Sequence, residues 1–174
     1  KLFFEGKEEA EVTLGMGEVF QYPVEDKSIH ILGSKPIYVF HTPGFGCELG
    51  MAILPSINCK GSKKIGFTRS TEEFFALNLL VRKEGIGGFS INRRTDLITA
   101  PMFEPVKGTG DKLYSAQIQL QTGVVQVGIS SLITNTSNSF QMGIINGGVL
   151  SGCRYGYFSS FSTLFIGDDF SICS

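Results

Sequence analysis

The sequence predicts an all-β fold, an antiparallel β-sandwich or jelly roll, with a closed β-barrel as the alternative. Short apolar runs rich in Val, Ile, Phe and Tyr recur along the 174 residues, and Gly, Pro, Asn and Ser separate them. The chain shows neither strand–helix–strand alternation nor a repeat of fixed period. Many short strands at close spacing are typical of sandwiches and jelly rolls.

Two segments carry the clearest strand pattern. Apolar and polar side chains alternate strictly over residues 114–121, which predicts one buried and one solvated face. A second inward row is predicted at Phe75, Leu77, Leu79 and Val81. Because Leu80 is apolar on the opposite face, this second strand is predicted to be central in its sheet.

Further strands are predicted from shorter runs, with boundaries set by turn residues. These lie at 12–14, 18–22, 28–32, 36–41, 49–54, 63–69, 89–92, 98–103, 130–134, 140–145 and 155–160. Residues 70–80 could begin a helix at a Ser or Thr cap, but the alternation beyond them favours a strand. Residues 143–148 are interpreted as a strand that ends in a turn at Asn146-Gly147, because a nucleotide-binding glycine loop would need a following helix.

Composition and charge limit the function classes. The 15 basic and 16 acidic residues nearly cancel, giving a formal charge of −1, so no nucleic-acid partner is predicted. The apolar runs are shorter than the roughly 18 residues of a membrane span, so no direct membrane insertion is expected. No cofactor and no metal site are predicted, since the cysteines form no C-x-x-C pair and both histidines lie far from them.

The four cysteines are expected to form disulfides rather than a zinc site, which would indicate an oxidising compartment. Three full pairings are open, and the sequence does not choose among them. Cys47 with Cys59 is the candidate disulfide that we favour. By the chain-entropy model, closing this loop would stabilise the folded state by about 3 kcal/mol. Cys153 with either is the competing arrangement, and a buried free thiol is the alternative.

The last third of the chain carries the most specific pattern. Residues 152–158 are Gly152, Cys153, Arg154, Tyr155, Gly156, Tyr157 and Phe158, preceded by GIINGG at 143–148. Together with GCE at 46–48, LPSINC at 54–59 and VKGTG at 106–110, these resemble the IgGFc-binding-protein N-terminal domain family over about residues 17–161. That family occurs in large secreted mucus-associated proteins and in bacterial surface and gliding-type adhesins.

The resemblance implies an extracellular, cell-surface location and a binding or adhesion module within a multidomain protein. Its partner would be a surface glycan or protein of unspecified identity, together with neighbouring domains of the same polypeptide. Residues 1–165 are predicted to form one domain, and residues 166–174 resemble a linker or the first strand of a following immunoglobulin-like repeat. A structural spacer or filament-assembly domain is the alternative, and a carbohydrate-active hydrolase is a third hypothesis.

No catalytic residue is predicted. No nucleophile motif occurs, and paired acids such as Glu72-Glu73 point to opposite faces of a strand. Arg154 is interpreted as an internal ion-pair or stacking residue, with Glu48 or Asp96 as partner, rather than a ligand contact. Three aromatic residues near predicted loops could form a sugar platform or plug the sandwich: Tyr22, Phe45 and Phe103. Asn135-Thr136-Ser137 matches an N-glycosylation sequon, which would be incidental in a bacterial protein.

Overall fold

The structure is a computed structural model that describes residues 2–4, 7–24, 28–56 and 61–158, with side chains not described for residues 2–10 and 157–158. The strands are β1 Leu2–Phe4, β2 Lys7–Ala10, β3 Ile29–Ile31, β4 Val39–His41, β5 Gly44–Phe45, β6 Glu48–Leu49, β7 Ala52–Leu54, β8 Lys64–Thr68, β9 Phe74–Arg82, β10 Phe89–Ile91, β11 Glu104–Pro105, β12 Leu113–Gln119, β13 Ser130–Asn135, β14 Phe140–Gly148 and β15 Gly152–Phe158. The described ranges contain no α-helix, and two short 3-10 turns lie at Lys83–Gly85 and Ala100–Met102. The prediction of an all-β fold is therefore confirmed.

Two sheets form the sandwich. The larger has five antiparallel strands in the order β11-β12-β9-β14-β15, and the smaller has three in the order β10-β13-β8. The described strands do not close into a barrel. A separate N-terminal sheet has the order β2-β1-β3, and two short ribbons pair β4 with β7 and β5 with β6.

The core lies between the five-stranded and the three-stranded sheet. The predicted inward row of β9 is almost fully buried, and β9 is the middle strand of its sheet, as the apolar Leu80 indicated. In β12, Ala116 and Ile118 are buried while Gln117 and Gln119 are exposed, so the predicted alternation is confirmed. Aromatic rings join the layers: Phe67 stacks on Phe75 and Phe89 contacts Phe140.

The two ribbons form a partial third layer on the outer face of the five-stranded sheet. Strand β14 is buried on both faces, and Ala76 of the neighbouring β9 points outward yet has no exposed surface. Phe45 of β5 packs on Phe74 at a centroid distance of 5.5 Å, and Gln141 donates a hydrogen bond to the Ser56 carbonyl. The ribbons therefore lie on β15 and reach the start of β9, and they cover part of the outer face of this sheet.

Three predicted strands are wrong. Residues 12–14 and 18–22 have no strand partner and are exposed, so alternation there does not lead to pairing within the described chain. Residues 98–103 contain the Ala100–Met102 turn with Pro101 inside it, and only Ile98 and Phe103 of this segment are buried.

The predicted Asn146-Gly147 turn is also wrong, because β14 continues through both residues to Gly148. The turn follows at residues 149–151. Gly147 has φ +136°, and a Cβ there would overlap the Gly152 carbonyl oxygen, so glycine is needed within the strand.

Candidate functional site

The ribbon of β4 and β7, called the ribbon below, is apolar on both faces. Phe40 of β4 lies directly opposite Ile53 of β7, and His41 lies opposite Ala52. Because side chains alternate along a strand, His41 and Ala52 share one face while Phe40 and Ile53 share the other. The His41 face is half-buried against β15, whereas the Phe40 face is exposed.

The exposed face consists of large side chains. Phe40 is 52% and Ile53 is 53% exposed, and the alternation adds Tyr38 at 84% and Met51 at 63%. Single exposed apolar residues are common on protein surfaces, but contiguous apolar patches mark interaction sites. We call Tyr38, Phe40, Met51 and Ile53 the outward patch and treat it as the candidate functional site.

The motif of residues 152–158 anchors the ribbon. Tyr155 of β15 shares a hydrogen bond with His41, with 2.8 Å between the phenol oxygen and Nδ1, and the two rings meet edge to face at 5.1 Å. Cys153, on the same face of β15, lies 3.5 Å from the Pro43 carbonyl oxygen. A Cβ on Gly50 would overlap the Tyr155 Cβ, so glycine permits this close approach. The motif thus positions the outward patch without belonging to it.

The contact between His41 and Tyr155 gives a pH prediction. Burial lowers the pKa of His41 below its ordinary value of 6.5. Since the unfolded chain then binds a proton more readily than the folded chain, this contribution to stability is present above about pH 6.5 and is lost as pH falls through the folded-state pKa. The urea midpoint of the wild type should drop more between about pH 7.5 and about pH 5 than that of His41→Phe. Equal drops would contradict this account of His41.

The other motif residues have mixed surroundings. Gly152 has φ +86° and begins β15. Arg154 lies opposite Asn146 and is exposed, so the prediction that it is an internal residue is wrong. Asp96, one of its two predicted partners, forms an ion pair with Arg94 at 2.7 Å instead. Gly156 pairs with Ile144 in β14, while Tyr157 and Phe158 are described only in their backbone pairing.

Arg69 is a buried cation that holds the loop before β9. It is 3% exposed, and its guanidinium lies 5.3 Å from the centre of the Phe75 ring. Its nitrogens donate hydrogen bonds to four carbonyl oxygens, at Thr71, Glu72, Glu73 and Leu120, with distances of 2.6 to 3.0 Å. Three of these carbonyls belong to the loop and the fourth belongs to Leu120, directly after β12. Arg69 therefore ties this loop to the end of β12.

Asn146 holds the same loop from β14. It is 2% exposed, and its Oδ1 accepts hydrogen bonds from the backbone N–H groups of Ser70 and Thr71 at 2.7 and 3.0 Å. Its Nδ2 donates to the Phe74 carbonyl at 3.0 Å and to the Thr71 hydroxyl at 3.1 Å. Both ends of the amide are satisfied, so Asn146 has a structural role.

Asn135, the sequon residue, lies at the opposite end of the sandwich. It is 2% exposed, and its Nδ2 donates to the Gly85 carbonyl at 2.7 Å. Its Oδ1 accepts from the backbone N–H groups of Ser137 and Asn138, each at 2.9 Å. The nitrogen that a glycan would need is therefore buried and bonded in the folded chain.

The cysteines singled out from the sequence are dispersed. Cys47 is exposed, Cys153 is half-buried, and both are free thiols. Cys59 lies outside the described residues, and so does the predicted pairing of Cys47 with Cys59.

The structure also separates the three aromatic residues that could have formed a sugar platform. Phe103 is 7% exposed and stacks on Phe89, so it belongs to the core. Phe45 is half-buried on Phe74, and Tyr22 lies at 36% exposure beside Phe20.

Carboxylates do not gather into a metal centre in the described part of the chain, where no group of three or more His, Cys, Asp or Glu side chains could hold an ion. Glu72 and Glu73 are exposed, as predicted, and Glu73 accepts a hydrogen bond from the Ser151 hydroxyl. No helix of the described residues is long and apolar enough to span a membrane.

Comparison with protein-family models, with curated proteins and with solved structures finds no match to this chain. The resemblance seen in residues 152–158 stays a prediction. The physical case for function therefore depends on the outward patch and its surroundings.

Proposed function

We propose that this chain is an extracellular binding or adhesion module of a larger cell-surface protein, and that the outward patch contacts a protein partner. The observation that supports this proposal is that the ribbon of β4 and β7 has apolar side chains on both of its faces. Its inner face is half-covered by the sandwich, while Phe40 and Ile53, directly opposed across the ribbon, are each about half exposed. The sequence motif resembling a family of secreted adhesion proteins adds the expectation of a surface location.

The distribution of exposed apolar side chains supports this proposal. Of the 20 large hydrophobic residues that are exposed in the described chain, 15 lie between Val12 and Ile53, although the core lies between Ile65 and Ile145. The sandwich thus buries most of its large apolar side chains, whereas the segment before it leaves many of them exposed to solvent. A partner that buried the outward patch would gain about 25 cal/mol for each Å² of apolar surface removed from water.

Aromatic and branched side chains favour a protein partner at this patch. Tyr38 and Phe40 supply rigid rings, which are enriched among the residues that dominate binding energy at protein interfaces.

The proposal is tested with purified wild-type protein on immobilised mucins, matrix proteins and neutral glycans, with cleavage of each ligand followed in parallel. We expect binding to at least one protein surface and no cleavage. The double variant Phe40→Ser/Ile53→Ser should weaken that binding at least about tenfold, since each lost anchor costs about 1 kcal/mol or more.

Ile129→Ser/Leu132→Ser is the matched control, because these residues are 56% and 46% exposed on the sandwich itself. Its affinity should stay within about twofold of wild type. Equal losses in both double variants, or no binding to any protein surface, would contradict the assignment of the patch.

A structural or assembly domain is the second candidate, and residues 11–24 favour it. They are exposed and lie outside every strand, yet apolar side chains occupy even positions from Val12 to Leu14 and from Phe20 to Val24. An extended segment with this alternation can add to an open sheet edge. Sedimentation velocity distinguishes the two: assembly predicts a concentration-dependent oligomer that Leu14→Ser/Phe20→Ser returns to monomer, whereas the binding module stays monomeric.

A further inference from the structure

The basic side chains of the described sandwich are concentrated at one end. This is the end where β8 and β12 begin and β9 finishes, and we call it the basic end. Six exposed cations lie there: Lys63, Lys64, Arg82, Lys83, Lys107 and Lys112. Three carboxylates accompany them, at Glu84, Glu104 and Asp111, so this end has a formal charge of +3 while the whole chain has −1.

Backbone hydrogen bonds show that the loops of the basic end adjoin one another. The Lys83 N–H donates to the Lys112 carbonyl at 3.1 Å, and Arg82 lies opposite Leu113. The Asn135 N–H donates to the Lys63 carbonyl at 2.9 Å, while its side chain bonds Gly85. Asn135 therefore joins the loop of Lys63 to the loop of Lys83.

These cations form no ion pair with another described residue. The ion pair found in the described part of the chain joins Arg94 to Asp96, away from this end. Cations that are gathered on one surface without paired carboxylates produce a local positive potential, even when the net charge of the chain is close to zero. The basic end is thus suited to an anionic ligand with several charges.

The chemistry around the cations narrows the class of ligand. None of the exposed large apolar side chains lies in the loops 61–64, 82–88, 106–112 or 135–139. Proteins that bind single-stranded nucleic acid use aromatic platforms for the bases, and proteins that lie on membranes use apolar anchors. Neither occurs among the described residues of this end, which offers charge alone.

We propose that the basic end binds an acidic polysaccharide, through repeated sulfate or carboxylate groups spaced along the ligand. This inference rests on the proposed adhesion function and names a ligand class for a surface separate from the outward patch. Lysine supplies a point charge on a flexible stem, and five of the six cations are lysines, so they can follow a flexible polyanion without fixed geometry.

The test measures binding of the purified chain to dextran sulfate, polygalacturonate, neutral dextran and double-stranded DNA at about 50 mM and about 300 mM salt. The first two ligands distinguish sulfate from carboxylate as the preferred group. We expect binding to at least one of them, no binding to neutral dextran, and a loss of affinity of about tenfold at the higher salt.

Lys83→Gln/Lys112→Gln should reduce the affinity at low salt about tenfold, while Lys35→Gln/Arg93→Gln, which removes two exposed cations elsewhere, should change it less than about twofold. Absence of binding to both acidic polysaccharides, equal effects of the two double variants, or tighter binding to DNA would overturn the proposal. Because none of these variants touches the outward patch, such a failure leaves the proposed protein contact to be judged by its own variants.

Discussion

Replacing Arg69 with alanine is expected to lower the free energy of unfolding by about 4 kcal/mol, more than any other single substitution that we propose. The substitution removes hydrogen bonds to four carbonyl oxygens and the contact with the Phe75 ring. The carbonyls stay in place beside the core, and each buried group left unpaired costs about 1–3 kcal/mol. Urea unfolding followed by circular dichroism measures the change.

Two further variants make this test specific. Arg69→Lys keeps the charge but lacks the planar fork, so it should recover only part of the lost stability. Arg94→Ala removes an exposed arginine whose ion-pair partner is Asp96, and it should leave the urea midpoint unchanged. If Arg69→Ala and Arg94→Ala unfold at the same urea concentration, the carbonyl contacts do not stabilise the fold.

Asn146→Leu should have the second largest effect, a loss of about 3 kcal/mol. Leucine has the same branched arrangement of side-chain heavy atoms as asparagine, but it leaves the N–H groups of Ser70 and Thr71 without their acceptor and the Phe74 carbonyl without one donor. Asn146→Asp keeps the acceptor and loses the donor, so its free energy of unfolding should lie between those of the wild type and Asn146→Leu. Both variants are measured by urea unfolding at neutral pH.

Asn78→Leu provides the matched control for Asn146. Asn78 is also in a strand of the five-stranded sheet, but it faces outward and accepts a hydrogen bond from exposed Gln117. Its replacement should change the free energy of unfolding by less than about 0.5 kcal/mol. A comparable loss at both positions would mean that Asn146 acts through strand packing and not through the loop.

The sandwich could be predicted from local patterns because its clearest strands, β9 and β12, carry a regular row of inward apolar side chains. In β12 the buried residues are those that the period of two selects, and in β9 the predicted inward row is buried, together with the outward Ala76. Leu80 indicated the central position of β9 because it makes the second face of that strand apolar as well. The strand predicted at residues 98–103 is wrong because Ile98 and Phe103 lie in a loop. Their side chains are buried in the core without following the alternation of a strand.

The loop contacts could not be predicted in full because they join residues distant in the chain. One signal was present: Arg69 continues the inward row of Ile65 and Phe67, so alternation alone places a cation toward the core. Which carbonyls it meets depends on how β12 and the loop of residues 70–73 come together. The same applies to Asn146, whose neighbour Gly147 suggested a turn while its burial requires a strand.

The outward patch was hidden for a different reason. The runs around Phe40 and Ile53 are apolar at nearly every position, a pattern typical of strands covered on both faces. Only the packing of the ribbon on β15 decides which face is covered and which is left exposed. The sequence predicted the two strands, and the structure assigns Tyr38, Phe40, Met51 and Ile53 to the uncovered side.

Amide hydrogen exchange of the ribbon, with and without the protein surface that binds most tightly, tests the central claim most directly. If the outward patch is the contact surface, the amides of Val39–His41 and Ala52–Leu54 will exchange more slowly in the complex, while those of Leu113–Gln119 will not change. Slower exchange in β12 with an unchanged ribbon would place the contact elsewhere and contradict the proposed role of the patch.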